Sequence, residues 1–158
     1  MIIVRNHRGN YHELYILCIM IQFECIDVKS PQIQWDDIRQ WIQSVAESYQ
    51  KRCGNITYFF CSDDHILEVN KTYLNHDYYT DIITFDYTEG NKISGEIFIS
   101  LDTVRSNSSL FKSTYNEELH RVIIHGVLHL VGINDKGPGE REIMEEAENK
   151  ALAIIGIR

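Results

Sequence analysis

Leu119-His120-Arg121-Val122-Ile123-Ile124-His125-Gly126-Val127-Leu128-His129-Leu130-Val131-Gly132 is the stretch on which the reading of the fold turns. Leu119, Val122, Ile123, Val127, Leu128 and Val131 recur at three- and four-residue spacing, which predicts a long helix with a broad apolar face, beginning near Thr114 and stopped by Gly132. His125 and His129 are four residues apart, a turn of about 400°, so both imidazoles stand on one face as a bidentate metal clamp. The bland alternative is a coincidence of spacing with each ring satisfied by hydrogen bonds. Against it, two uncompensated polar rings are costly to bury in an otherwise apolar helix. Beyond Gly132 the chain can fold back, and Asp135, six residues past His129, is the candidate third ligand. Three protein ligands leave a coordination position open, the arrangement of catalytic rather than structural sites.

Working outward, Ile21 to Asp27 alternates as a half-buried strand and Ser30-Pro31 breaks it. Trp35, Ile38, Trp41, Ile42 and Val45 predict an amphipathic helix from Gln34 to Arg52, ended by Gly54. Ile56 to Cys61 reads as a second strand, and Ser62-Asp63-Asp64 caps a short helix through Tyr73. Residues 74–81 are polar and turn-like. Ile82 to Tyr87 and Ser94 to Ser100 form two strands about Glu89-Gly90-Asn91, a hairpin signal. A helix follows Leu101, and a last one runs from about Pro138 to Ile155 with acids in its first turns. The order predicts an α+β domain: a single four-stranded sheet packed against about five helices, with a zincin-like metal-binding helix.

The chain has 158 residues, 44% of them apolar and 24% charged, with two prolines, which fits one packed domain rather than disorder or a linker. Its formal charge of −8 excludes a nucleic-acid binder held by global basicity, so any contact with RNA must be local. Cys18, Cys25, Cys53 and Cys61 have no zinc-ribbon spacing and read as reduced core residues of a cytoplasmic protein. The apolar run Leu14 to Phe23 is too short to span a bilayer and makes a poor signal peptide, so no membrane partner is expected. Residues 1–19 read as an N-terminal extension that need not be native, and 20–158 as the domain.

The Glu of the HExxH zinc proteases is missing: Gly126 stands beside the first histidine. It either leaves open space beside the metal for a bulky substrate such as a polynucleotide backbone, or lets the helix pack closely.

These residues resemble the YbeY family of metal-dependent endoribonucleases. That family is marked by a His-Gly-x-Leu-His-Leu-x-Gly core, here His125 to Gly132. Its second signature resembles Asn70, Tyr73 and Thr80-Asp81-Ile82-Ile83-Thr84-Phe85, and its third matches Gly95-Glu96-Ile97. The resemblance covers residues 20–155 in the family's order. It departs at Asp135, where most members carry a third metal-binding histidine, and at Leu74, which aligns with an arginine thought to engage RNA. Carboxylate oxygen is a competent but harder zinc ligand.

The resemblance implies cleavage of single-stranded RNA in small-subunit ribosomal RNA maturation and ribosome quality control, with one zinc ion per chain on His125, His129 and Asp135. Such an ion would acidify water toward a pKa of ~7 and neutralise charge on a phosphoryl group. The nucleophile is then water or a ribose hydroxyl. His125 and Asp81 are the catalytic candidates, although an Asp after Thr in a loop more often caps or turns the chain. Asn70, Thr80 and Arg121 are the substrate-binding candidates. The two loop-type polar residues more often satisfy local backbone, and Arg121, one turn before His125, more often makes a surface ion pair. Glu118 shares the histidines' face and can line the cleft, but a solvated acid is the favoured reading. His120 is rotated by about 140° from His125 and does not join the metal. His76 and Asp77 lie in the same loop and either reach the cleft or, the favoured reading for isolated residues, are surface. Tyr78 and Tyr79 either stack on unpaired bases or, more commonly, pack in a core. The rival functions are a metal-dependent hydrolase of peptides or small molecules, and a non-catalytic ribosome-associated protein in which metal only stabilises the fold.

Overall fold

A computed structural model describes residues 21–157, so the extension read over residues 1–19 lies outside the described residues. The described residues form four strands and five helices: β1 (Ile21–Cys25), α1 (Trp35–Ser48), β2 (Arg52–Cys61), α2 (Asp63–Leu74), β3 (Ile82–Asp86), β4 (Lys92–Ser100), α3 (Leu101–Leu110), α4 (Tyr115–Leu130) and α5 (Glu140–Ile154). The strands make one sheet in the order β1-β2-β4-β3. β2 runs parallel to both β1 and β4, while β3 returns antiparallel on β4 through the turn at Glu89-Gly90-Asn91.

Alternation along β2 and β4 divides the core in two. Ile56, Tyr58, Phe60, Ile93, Ile97 and Ile99 face α1, α3, α4 and α5 in the main core. Cys61 and Ile83, with Phe85 and Phe98 beside them, face Ile66 and Val69 of α2 on the other side. Two buried hydrogen bonds tie helices in place: Tyr58 Oη donates to the Ile123 carbonyl at 2.9 Å, and Trp41 Nε1 to the Ala151 carbonyl at 2.8 Å. Both satisfy the one polar atom of a large ring that would otherwise be stranded in the core.

Three sequence expectations need correction. The first helix ends at Ser48 rather than running on to a stop at Gly54; Gln50 takes the left-handed conformation at φ 58°. Gly54 lies inside β2, where a Cβ would stand 3.0 Å from the Ile93 carbonyl of the next strand. Cys25 is exposed on edge strand β1 rather than in the core, whereas Cys53 and Cys61 are buried; all three are free thiols. Burial raises the Cys53 thiol to about 11 and the Cys61 thiol to about 12, so neither is a nucleophile at neutral pH. No helix among the described residues is long and apolar enough to cross a membrane.

Candidate metal centre

α4 is the best-specified element of the chain. Thr114 caps it: the Glu117 amide donates to Thr114 Oγ1 at 3.1 Å and the Thr114 amide to Glu117 Oε2 at 2.6 Å, a reciprocal capping box. At its other end the Gly132 amide bonds the His129 carbonyl and the Ile133 amide the Leu128 carbonyl, a Schellman closure that Gly132 permits with φ +104°. This closure turns the chain back so that Asp135 arrives over the last turn.

His125, His129 and Asp135 converge. The Nε2 atoms of the two histidines are 2.9 Å apart, and Asp135 Oδ2 lies 3.4 Å from His125 Nε2 and 3.6 Å from His129 Nε2. One ligand atom from each side chain lies within 4.8 Å of the others, so the three can hold a metal ion. The outer contacts fit that use. His125 Nδ1 donates to Glu148 Oε1 at 2.6 Å, which leaves Nε2 to face the common centre, and the Ile133 backbone takes a hydrogen bond from the His129 ring. Two imidazole nitrogens and a carboxylate oxygen form a donor set suited to zinc and related divalent ions. Burial lowers the affinity of His125 for a proton, but Glu148, Asp135 and Asp81 together outweigh it and raise the ring above its ordinary value. Burial and the neighbouring His125 hold His129 below it.

The triad sits in an open cleft of about 1070 Å³. Asp81, Asn70, Thr80 and Arg121 all line it, as do Glu118 and Leu74. Arg121 is already engaged, its Nη1 donating to Glu148 Oε2 at 2.8 Å and its Nη2 to Asn149 Oδ1 at 2.9 Å, the ion pair that its position on the helix also allowed. Asn70 is not a loop residue: it is buried in α2, where its Nδ2 donates to the Tyr78 carbonyl at 2.9 Å and its own carbonyl accepts from the His76 amide at 3.2 Å. Thr80 Oγ1 reaches the Ile82 carbonyl at 3.3 Å. His120 faces a different groove, with its Nδ1 2.7 Å from the Asn116 carbonyl.

Glu118 is buried at 6% exposure rather than solvated, and burial, with Asp81 nearby, raises its carboxyl above the usual range. Of the two readings of Gly126, close packing holds: a Cβ there would stand 2.9 Å from Ile97 Cδ1, 3.0 Å from Ile97 Cγ2 and 3.2 Å from Ile82 Cδ1. Gly126→Val is therefore expected to overpack the α4–sheet contact and destabilise the fold by about 3 kcal/mol, read as a shift in the urea midpoint. An unchanged midpoint would contradict the packing role. Tyr78 and Tyr79 are exposed rather than packed in a core. Glu148 escaped the sequence reading, although it had a signal: it falls on the buried stripe Met144, Ala147, Ala151 and Leu152 of α5, where a carboxylate needs a partner.

A parallel-dominated α+β sheet backing a helix with two histidines four apart, closed by a carboxylate from the following turn, defines a metal-competent zincin-like domain. Residues 23–156 match the family model described as Endoribonuclease YbeY, and the chain belongs to that family. It is 67% identical over 135 residues to a protein of Parabacteroides distasonis named Endoribonuclease YbeY, covering 85% of this chain and 95% of that one. A protein of the same name from Phocaeicola vulgatus is 66% identical over 138 residues, covering 87% and 100%. A solution structure of a Thermotoga maritima protein shares the fold, with a TM-score of 0.59 at 23% identity over 86% of this chain and 91% of that one.

Proposed function

We propose that this protein is a zinc-dependent endoribonuclease that cuts single-stranded RNA in the cytoplasm, with small-subunit ribosomal RNA, in maturation and quality control, as its target. The observation that carries this reading is the convergence of His125, His129 and Asp135 in an open cleft that Asp81 and Glu118 also line. The name of its relatives supports the choice of RNA.

His125, His129 and Asp135 would hold one zinc ion, which when bound would supply Lewis acidity for activating water and for offsetting charge on a phosphoryl group. The remaining work belongs to the chain. Glu148 holds the His125 ring at Nδ1 and so aims its Nε2 into the cleft. Asp81 is the carboxylate that accepts a proton from the attacking water or ribose hydroxyl. Glu118, whose carboxyl burial and then Asp81 hold above the ordinary carboxylate range, serves as the donor of a proton to the leaving ribose oxygen. Peptide hydrolysis by the HExxH route lacks its base, because Gly126 occupies that place and is packed against Ile97.

The test is a cleavage assay on single-stranded and hairpin RNA with protein of known metal content. Cleavage confined to unpaired segments, lost after chelation and regained with one equivalent of zinc, is the expected result. Zinc-loaded protein that leaves every RNA intact, or cleavage that survives chelation, would overturn the reading.

A further inference from the structure

The cleft is a poor place to hold a polyanion by charge. Among its lining side chains the carboxylates of Asp81, Asp86, Asp135, Glu145 and Glu148 outnumber the cations of Arg121, Lys136 and Arg141, and Glu118 adds a further acidic group. Arg121 is itself paired with Glu148. A divalent ion on the triad brings this lining near neutrality without making it basic, and the whole chain carries −8. Phosphate contacts draw their free energy from the counterions set free when protein cations replace them on the phosphates, so little of it is available here.

The same cleft is rich in exposed rings. Residues 71–79 are exposed throughout. Within that stretch the rings of His76 and Tyr78 stack with centroids 5.1 Å apart and planes 22° apart, locked by a 3.1 Å contact between Tyr78 Oη and His76 Nδ1. Tyr78 is 55% exposed and lines the cleft, as does Phe111 from the end of α3 at 61%. Their backbone is not loose: Asn70 grips the Tyr78 carbonyl and the His76 amide, and Lys71 pairs with Asp77 at 3.1 Å. The stacked His76–Tyr78 pair and Phe111 thus present aromatic faces to the cleft that the fold leaves in water, and the fixed backbone of residues 76–78 leaves little ordering cost for binding there.

Resting on the endoribonuclease reading, we propose that His76, Tyr78 and Phe111 form a nucleobase-stacking subsite that supplies most of the binding free energy for RNA. Every base has a π-face, so such a surface is tolerant of sequence, and it is usable only by a base whose face is free. Preference for unpaired RNA then follows from the rings rather than from any charge pattern.

The experiment measures anisotropy of a short end-labelled single-stranded RNA, read before appreciable turnover, beside the same strand carrying abasic residues, across a salt series. The abasic strand is expected to bind at least about tenfold more weakly, and the salt slope to match only about one or two phosphates. Tyr78→Ala should weaken binding of the base-bearing strand by about 5- to 100-fold, and Tyr78→Phe by less than about threefold. Tyr79→Ala is the control, since Tyr79 is equally exposed but does not line the cleft. Thermal melts confirm that each variant is folded. Equal binding of the two strands, a Tyr78→Ala variant that binds like wild type, or a steep salt slope would overturn the subsite and leave the rings as a protein-docking surface. Cleavage of the base-bearing strand is scored in parallel. A protein that cleaves it but binds without regard to bases refutes the subsite alone, whereas one that neither binds nor cleaves refutes the endoribonuclease reading as well.

Discussion

His129→Ala should lower kcat for single-stranded RNA by at least about a thousandfold, the roughly 4 kcal/mol by which a bound divalent ion stabilises charge in phosphoryl transfer. The geometry makes the loss steep. Among the described residues, His129 Nε2 is one of three donors that meet at the centre, 2.9 Å from His125 Nε2 and 3.6 Å from Asp135 Oδ2, and its loss leaves two, fewer than the three protein ligands of an open catalytic site. The same substitution should leave the melting temperature of metal-free protein within a few degrees of wild type. The His129 side chain is 27% exposed, and although its ring bonds the Ile133 backbone, the closure of α4 is also held by the Gly132 and Ile133 amides on the His129 and Leu128 carbonyls, which the substitution keeps. Asp135→Asn should show a milder form of the same effect, because it keeps the oxygen but loses the charge that offsets the cation. A His129→Ala protein retaining more than a tenth of wild-type kcat would show that the triad is not the reactive centre.

Why this centre was legible in the sequence, and the groups around it were not, follows from the range of the interactions involved. His125 and His129 belong to one helix, so a spacing of four residues dictates their geometry, and Gly132 with its positive φ announces the turn that brings Asp135 back. The fold class was legible for the same reason: periodicity is local, and each strand and helix carries its own. Boundaries were less so. The start of β2 at Arg52 depends on pairing with Lys92 and Ile93 some forty residues away, and the end of α1 on Gln50 taking a conformation more often left to glycine or asparagine. Glu118 illustrates the deeper limit. Its helix face was evident, but its burial depends on how α4 packs, and that burial, with Asp81 nearby, moves it from a solvated acid to a carboxyl held above the usual range. Tyr78 errs in the opposite direction, an aromatic that composition assigns to a core and the fold leaves in the cleft.

Glu148→Gln is expected to weaken zinc binding by about 10- to 100-fold, measured by competition with a chelator of known affinity. Both oxygens of Glu148 are in use: Oε1 takes the His125 Nδ1 proton at 2.6 Å, and Oε2 takes Arg121 Nη1 at 2.8 Å. The amide has the same volume but a single acceptor oxygen, so its NH₂ group must face a donor, either His125 or Arg121. If it faces His125, the ring loses the carboxylate that fixes its tautomer and adds to the basicity of Nε2; if it faces Arg121, the ring keeps an acceptor but a neutral one. Glu148 touches neither the common centre nor any reacting atom, so it is a positioning residue, and its signature is metal affinity rather than stability alone. Arg121→Ala should cost less, about three- to tenfold in the same measurement, because it frees Glu148 to move while leaving its charge beside His125. Identical zinc affinity for wild type and Glu148→Gln, in variants that melt at the same temperature without metal, would show that the His125 ring is aimed by the packing of α4 alone and owes nothing to the carboxylate behind it.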